Sequence, residues 1–173
     1  QCLSCHQVRG WGGTLSTVPL DRIGSQLLRP YLVSYLRKPV AVRVSVEERM
    51  PDFRMTNEEA QTLADYLSSV FVDDSLERPR RPDPEAARQG EQLFATLGCR
   101  ACHMIGGHGG YVGPDLSETG RRLKPGWIEA WLSAPGKWKP GTLQPDYGLK
   151  AQEASALTAY LMTLSESGAR STR

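Results

Sequence analysis

The chain has 173 residues, a formal charge of +2 and 39% hydrophobic residues. That near-neutral balance, with no strongly basic run, gives no reason to expect a nucleic-acid partner, and the lack of any stretch of about 18 apolar residues excludes a membrane-spanning helix in this chain. Split into two domains, such a chain has thin cores that lean on a metal, disulfides or a cofactor.

In chain order, the first feature is Cys2-Leu3-Ser4-Cys5-His6. No signal peptide precedes it in this sequence. Leu28, Tyr31, Leu32, Tyr35 and Leu36 then recur at helical spacing. A loop carries Arg49-Met50-Pro51-Asp52-Phe53. Thr56 and Glu59 read as a capping box that opens a helix with Ala60, Leu63, Ala64, Leu67, Val70 and Phe71 on one face. Residues 73–84 are charged, proline-rich and without apolar periodicity, as an exposed and fairly stiff linker would be. Asp83 is placed to cap a helix opening at Pro84, with Leu93, Phe94 and Leu97 as its apolar face and Gly98 as its end. Cys99-Arg100-Ala101-Cys102-His103 follows, and a closing helix runs roughly over residues 151–164. No segment alternates convincingly as a strand, so the fold is expected to be mainly α with long loops.

The chain repeats itself. The two cysteine motifs correspond, as do Gly12-Gly13 and Gly109-Gly110. Tyr31, Tyr35, Leu36 and Pro39 return as Trp127, Trp131, Leu132 and Pro135, and Pro51-Asp52-Phe53 returns as Pro145-Asp146-Tyr147. Glu59-Ala60, Leu63 and Tyr66-Leu67 return as Glu153-Ala154, Leu157 and Tyr160-Leu161. The order never changes, which is the mark of a duplicated unit. The expected division is a first domain over 1–74, a linker over 75–83, a second domain over 84–167 and a tail over 168–173. The second domain has a helix ahead of its cysteine motif, and the first has only Gln1.

Cys-x-x-Cys-His is the attachment signature of c-type haem. Two thiols add to the two haem vinyl groups, and the adjacent histidine falls beneath the iron as proximal ligand. Cys2, Cys5, Cys99 and Cys102 would then carry two covalent haem c groups, with His6 and His103 as metal ligands. Disulfides, a redox dithiol or a zinc site would use the same cysteines. None of these accounts for a histidine directly after both pairs.

From Gly98 to Leu161 the chain resembles a class I c-type cytochrome domain. The resemblance rests on the cysteine motif, on Gly107-His108-Gly109-Gly110-Tyr111-Val112-Gly113-Pro114-Asp115-Leu116, on Trp127-Ile128-Glu129-Ala130-Trp131-Leu132, and on the closing Tyr160-Leu161. The first half matches the same pattern more loosely. The resemblance implies a mainly helical fold of two tandem cytochrome c-like domains, each wrapped around one covalent haem. It also implies electron transfer and a sixth iron ligand from a Met-Pro position.

In the first half that ligand is Met50; Met55 is a competitor, and filling core space is the alternative role for Met50. In the second half the aligned residue is Gln144, and the family's methionine is absent. Lys137 and Lys139 are further candidates there, while His108 belongs to the loop after the proximal histidine. Tyr31 and Trp127 could donate to haem propionates, and Arg121 and Arg122 could pair with them. Core packing or solvation is the alternative for each. Pro114, with Pro19 loosely aligned to it, is a candidate brace for the proximal side.

The function these readings imply is electron transfer between redox partners outside the cytoplasm, on the periplasmic or extracytoplasmic face of a membrane and as a subunit of a membrane-associated complex. Independent catalysis is not expected. The alternatives are a haem enzyme or small-ligand sensor with an open second haem, and an assembly subunit whose haems hold it folded. The full gene is expected to encode an export signal or membrane anchor and a helix upstream of Cys2.

Overall fold

The computed structural model describes residues 2–13, 18–43, 45, 47–48, 50–77 and 83–165. Within them the chain is mainly helical. A 3-10 turn at Cys2–Ser4 leads into a hairpin of β1 (Gln7–Val8) and β2 (Trp11–Gly12), then α1 (Ile23–Gln26), α2 (Arg29–Arg37) and α3 (Asn57–Val70). A further 3-10 turn at Asp74–Leu76 precedes α4 (Pro84–Thr96). The opening order then recurs: a 3-10 turn at Cys99–Ala101, a hairpin of β3 (Met104–Ile105) and β4 (His108–Gly109), α5 (Thr119–Arg122) and α6 (Pro125–Ser133). A short α7 (Pro135–Trp138) and α8 (Ala151–Thr163) complete it.

Local chemistry accounts for the helix starts. The Thr56 hydroxyl accepts from the Glu59 amide at 3.2 Å, and the Glu59 carboxylate accepts from the Thr56 amide at 2.8 Å. The expected capping box is therefore closed at the head of α3. The Asp83 carboxylate accepts from the amides of Glu85 and Ala86 at 3.0 and 3.1 Å, and Pro84 takes the first helical position, where no amide is needed. The two hairpins correct the expectation that no strand would form. Each pairs only two residues per strand, too short for alternation to register in the sequence.

Each half has its own core. Ala60, Ala64 and Leu67 of α3 bury against Leu32 and Leu36 of α2 and Ile23 of α1. Phe94 of α4, Ile128 of α6 and Leu157, Tyr160 and Leu161 of α8 form the other. Burying a leucine such as Leu157 stabilises the fold by roughly 1.5–3 kcal/mol. α4 crosses α8 closely at Gly90, where any side chain would come within 2.0 Å of the Ala156 carbonyl oxygen. One turn on, the Phe94 and Tyr160 rings meet at 5.3 Å. Among the described residues α3 has no such partner. Tyr66, the counterpart of Tyr160, is 53% exposed and lines a shallow groove with Glu58, Glu59, Thr62 and Leu63.

The two halves are joined by backbone as well as by sequence. Leu27 and Leu123, equivalent residues between the paired helices of each half, form an antiparallel bridge. The Leu28 amide donates to the Arg122 carbonyl at 2.8 Å, and the Lys124 amide donates to the Gln26 carbonyl at 2.9 Å. The Asp115 amide donates to the Val42 carbonyl at 2.9 Å.

The start of the expected linker is part of this junction rather than exposed. Leu76 is buried, the fully buried Ser25 hydroxyl donates to Glu77 at 2.9 Å, and the Lys124 ammonium donates to the same carboxylate at 3.0 Å. One apolar residue among charged ones leaves no periodic signal, so its burial is invisible in the sequence. Residues 78–82, the rest of that segment, lie outside the described residues, as do residues 166–173 with the expected tail. Among the described residues no helix is long and apolar enough to cross a membrane.

Candidate functional site

Each cysteine motif folds as a 3-10 turn whose hydrogen bonds pull the histidine back beneath the cysteines. The His6 amide donates to the Cys2 carbonyl at 2.8 Å, and the His103 amide to the Cys99 carbonyl at 3.0 Å. None of the four cysteines is paired in a disulfide. Burial pushes the Cys99 thiol above its ordinary range.

Both imidazoles are pinned in the same way. His6 Nδ1 meets the Val18 carbonyl oxygen at 2.8 Å, and His103 Nδ1 meets the Pro114 carbonyl oxygen at 2.8 Å. A carbonyl only accepts, so Nδ1 carries the proton and Nε2 is left as the electron-pair donor, the arrangement of a metal-ligating histidine. Pro114, the candidate brace, holds the His103 ring through its carbonyl. Its counterpart is Val18 rather than Pro19, because the contact is made by a backbone carbonyl that any residue provides. Gly113 backs the His103 ring so closely that a Cβ there would lie 2.4 Å from Cε1.

Gln144 Oε1 faces the other imidazole nitrogen, His103 Nε2, at 3.4 Å, a long polar contact. The loop holding it is tied by the Gln144 amide, which donates to the Thr142 hydroxyl at 3.2 Å. The corresponding loop is tied likewise: the Met50 amide donates to Glu48 Oε1 at 2.8 Å, and Glu48 Oε2 accepts from the Tyr35 hydroxyl at 2.9 Å. Met50 is half-buried and packs on the first core, as does Met55. The competition between these two methionines therefore stands on loop position and not on burial.

The remaining sequence candidates separate. Tyr31 stacks on Tyr35 with ring centroids 5.8 Å apart, and burial raises its phenol above the ordinary range while the neighbouring Arg122 guanidinium opposes this. Trp127 is packed against Trp131 and Trp138 at 5.9 and 5.3 Å. Arg122 is buried and donates to the Asp115 carbonyl at 2.8 Å, whereas Arg121 is exposed. Lys137 lies over the Trp138 ring at 5.1 Å, and Lys139 and His108 are exposed. Trp138 escaped the sequence reading because it sits in α7, which has no counterpart in the first half. A single tryptophan between the two candidate lysines Lys137 and Lys139 was its only signal.

Two cysteine sulfurs and an imidazole with Nε2 as its electron-pair donor on one tight turn, with an oxygen or sulfur donor on a loop, form a donor set that fits covalent haem c. The cytochrome c family model matches residues 87–165, so this part of the chain is a cytochrome c domain and implies a covalent haem c in the second half. Its limits run from within α4 to just past α8.

Among curated proteins, cytochrome c oxidase subunit 2 of Alkalihalophilus pseudofirmus is 34% identical over 104 residues, covering 55% of this chain and 30% of that protein. The chain thus spans less than a third of the relative's length. No solved structure matches.

Proposed function

We propose that this chain is a dihaem c-type cytochrome that passes electrons between redox partners outside the cytoplasm, as a subunit of a membrane-associated complex. The observation that carries the proposal is the equivalence of His6 and His103. Both follow a Cys-x-x-Cys pair on a 3-10 turn, and both hold Nδ1 against a backbone carbonyl at 2.8 Å. A first half built only as a spacer has no need of that proximal arrangement.

On this reading Cys2 and Cys5 tether one haem and Cys99 and Cys102 the other, and the iron of each supplies one-electron exchange between its ferrous and ferric states. His6 and His103 would ligate the irons, and Met50 and Gln144 on their loops would supply the further donors. Gly113 permits the close packing that fixes the His103 ring, and the cores around α3 and α8 exclude water from one flank of each site. Tyr31, Trp127, Arg121 and Arg122 are the proposed propionate partners. The division into domains over 1–74 and 84–167 belongs to the same reading. The name of the relative, a cytochrome c oxidase subunit, supports a respiratory complex as the partner, and an extracytoplasmic location follows from where c-type haem is attached.

Intact mass of the protein from its natural source, with haem staining after denaturing electrophoresis, tests the proposal. The expected result is two haems on one polypeptide. A single haem, confined to the fragment with Cys99 and Cys102, would reduce the chain to a monohaem cytochrome.

A further inference from the structure

We infer that the haem of the second half binds a small neutral ligand of the carbon monoxide class, with Gln144 as the side chain that gives way to it, while the first half stays closed. The inference needs only the haem of the second half, and its contrast with the first half rests on the two-haem reading.

Gln144 Oε1 lies 3.4 Å from His103 Nε2, the nitrogen left to ligate iron, so the loop brings an amide oxygen to that site. The repeat puts Met50 at the same position. The two donors differ in softness. A thioether stays with ferrous iron, whereas an amide oxygen suits the ferric state and holds ferrous iron weakly. Reduction therefore loosens Gln144 from the second-half iron. Carbon monoxide is neutral and soft, and it takes the position that the amide gives up. The exchange breaks a bond to Oε1 and forms one to the incoming carbon, with no electron or proton transferred.

The two loops also differ in how they are held. Glu48 accepts from the Met50 amide at 2.8 Å and from the Tyr35 hydroxyl at 2.9 Å, which braces the Met50 loop to α2. The counterparts of Glu48 and Tyr35 are Thr142 and Trp131. The Thr142 hydroxyl accepts from the Gln144 amide at 3.2 Å, within its own loop, and among the described residues it makes no bond to α6. Upstream, the Trp138 indole fastens α7 to α6 by donating to the Ala130 carbonyl at 2.9 Å. Downstream, the Lys150 amide donates to Glu153 at 2.7 Å. Between these anchors the tie to another element is a long one, from the Tyr147 hydroxyl to the Leu97 carbonyl at 3.4 Å. The segment has a left-handed glycine near each end, Gly141 and Gly148, with φ of 73° and 61°. The first half has Glu47 and Arg54 at those places. Two glycine joints without a short cross-brace let the Gln144 segment swing, and Leu143 beside it, 83% exposed, has little packing to lose.

The test is a titration of the full, matured protein with carbon monoxide after chemical reduction, read from the haem absorbance bands. The expected result is one carbon monoxide per chain, still bound by a Cys2→Ala, Cys5→Ala variant that lacks the first haem. Gln144→Met should weaken binding by about tenfold or more. Gln144→Ala should bind at least as tightly as wild type, and it carries the test if Gln144→Met does not mature. No binding by the reduced wild type, loss of binding with the first haem, two equivalents bound alike, unchanged affinity in Gln144→Met or weaker binding by Gln144→Ala overturns the inference. Intact mass keeps the two levels apart. One haem on the second motif that binds carbon monoxide defeats the two-haem reading and leaves the inference, and two haems of which neither binds it defeat the inference alone.

Discussion

Arg54 and Gly148 hold the same place in the two halves and the same left-handed backbone, with φ of 52° and 61°. The amide of each donates to an aspartate two residues back, Arg54 to Asp52 at 2.7 Å and Gly148 to Asp146 at 2.9 Å. The turn that ends each ligand loop thus demands a conformation that suits glycine and costs other residues about 1–2 kcal/mol. Glycine's greater freedom in the unfolded chain takes back about 0.5–1 kcal/mol. Arg54→Gly should therefore stabilise the protein by about 0.5–1 kcal/mol, seen as a higher urea midpoint at unchanged slope. A lower midpoint would mean that the arginine side chain contributes more than its backbone loses.

The head of α8 offers a second gain. The Lys150 amide donates to Glu153 at 2.7 Å, which is half of a capping box, but an ammonium has no lone pair with which to accept the Glu153 amide. Thr56 supplies that missing bond at the head of α3. Lys150→Thr should add about 1 kcal/mol of stability, and Thr56→Ala should remove a similar amount. Thermal unfolding of both variants checks the pair.

Alkaline pH should loosen the Met50 loop. Burial, then the hydrogen bond to Glu48, holds the Tyr35 phenol well above its ordinary value. A group whose folded value is raised contributes stability that is complete below its unfolded value, about 10 for tyrosine, and is lost as pH rises through the folded value. Wild-type stability should fall above about pH 10, and Tyr35→Phe should show a shallower fall from a lower starting point. Tyr31, Tyr147 and Tyr160, also raised, account for the slope that remains. Equal slopes in the two proteins would exclude Tyr35 as the titrating group.

The two sixth-ligand positions make opposite predictions. An amide oxygen is a harder donor than a thioether and favours ferric iron. On the two-haem proposal, the haem of the second half should have the lower potential, so that electrons run from the second half to the first. Gln144→Met should raise the second potential with little effect on the first, and Met50→Gln should lower the first with little effect on the second. Ligation of the second iron by Lys137, Lys139 or His108, visible by magnetic resonance, would overturn this ordering.

The sequence made these elements legible unevenly, and for physical reasons. The capping residues Thr56 and Asp83 act on amides two or three positions away, so their helices could be placed from local chemistry. The cysteine motifs are equally local. The Val18 carbonyl that holds His6 could not be found this way, because a backbone acceptor leaves no mark on residue type. Nor could the burial of Arg122 or Leu76, since both depend on how the halves meet, and a single residue in a polar stretch has no period. The two hairpins were missed because two residues cannot alternate.

The reciprocal hydrogen bonds at Leu27 and Leu123 have a further consequence. Each half gives an amide one residue beyond the bridge and takes one at the residue before it, so a half-turn exchanges the two sides and leaves the bonding pattern unchanged. Such an isologous contact is one that two identical chains can make. A gene for one half would have been enough to form it as a dimer, and joining two copies end to end preserves the contact while freeing each side to change alone. On the two-domain proposal, Arg122 opposite Gln26 and Gln144 opposite Met50 are what that freedom produces once the partners no longer share a codon.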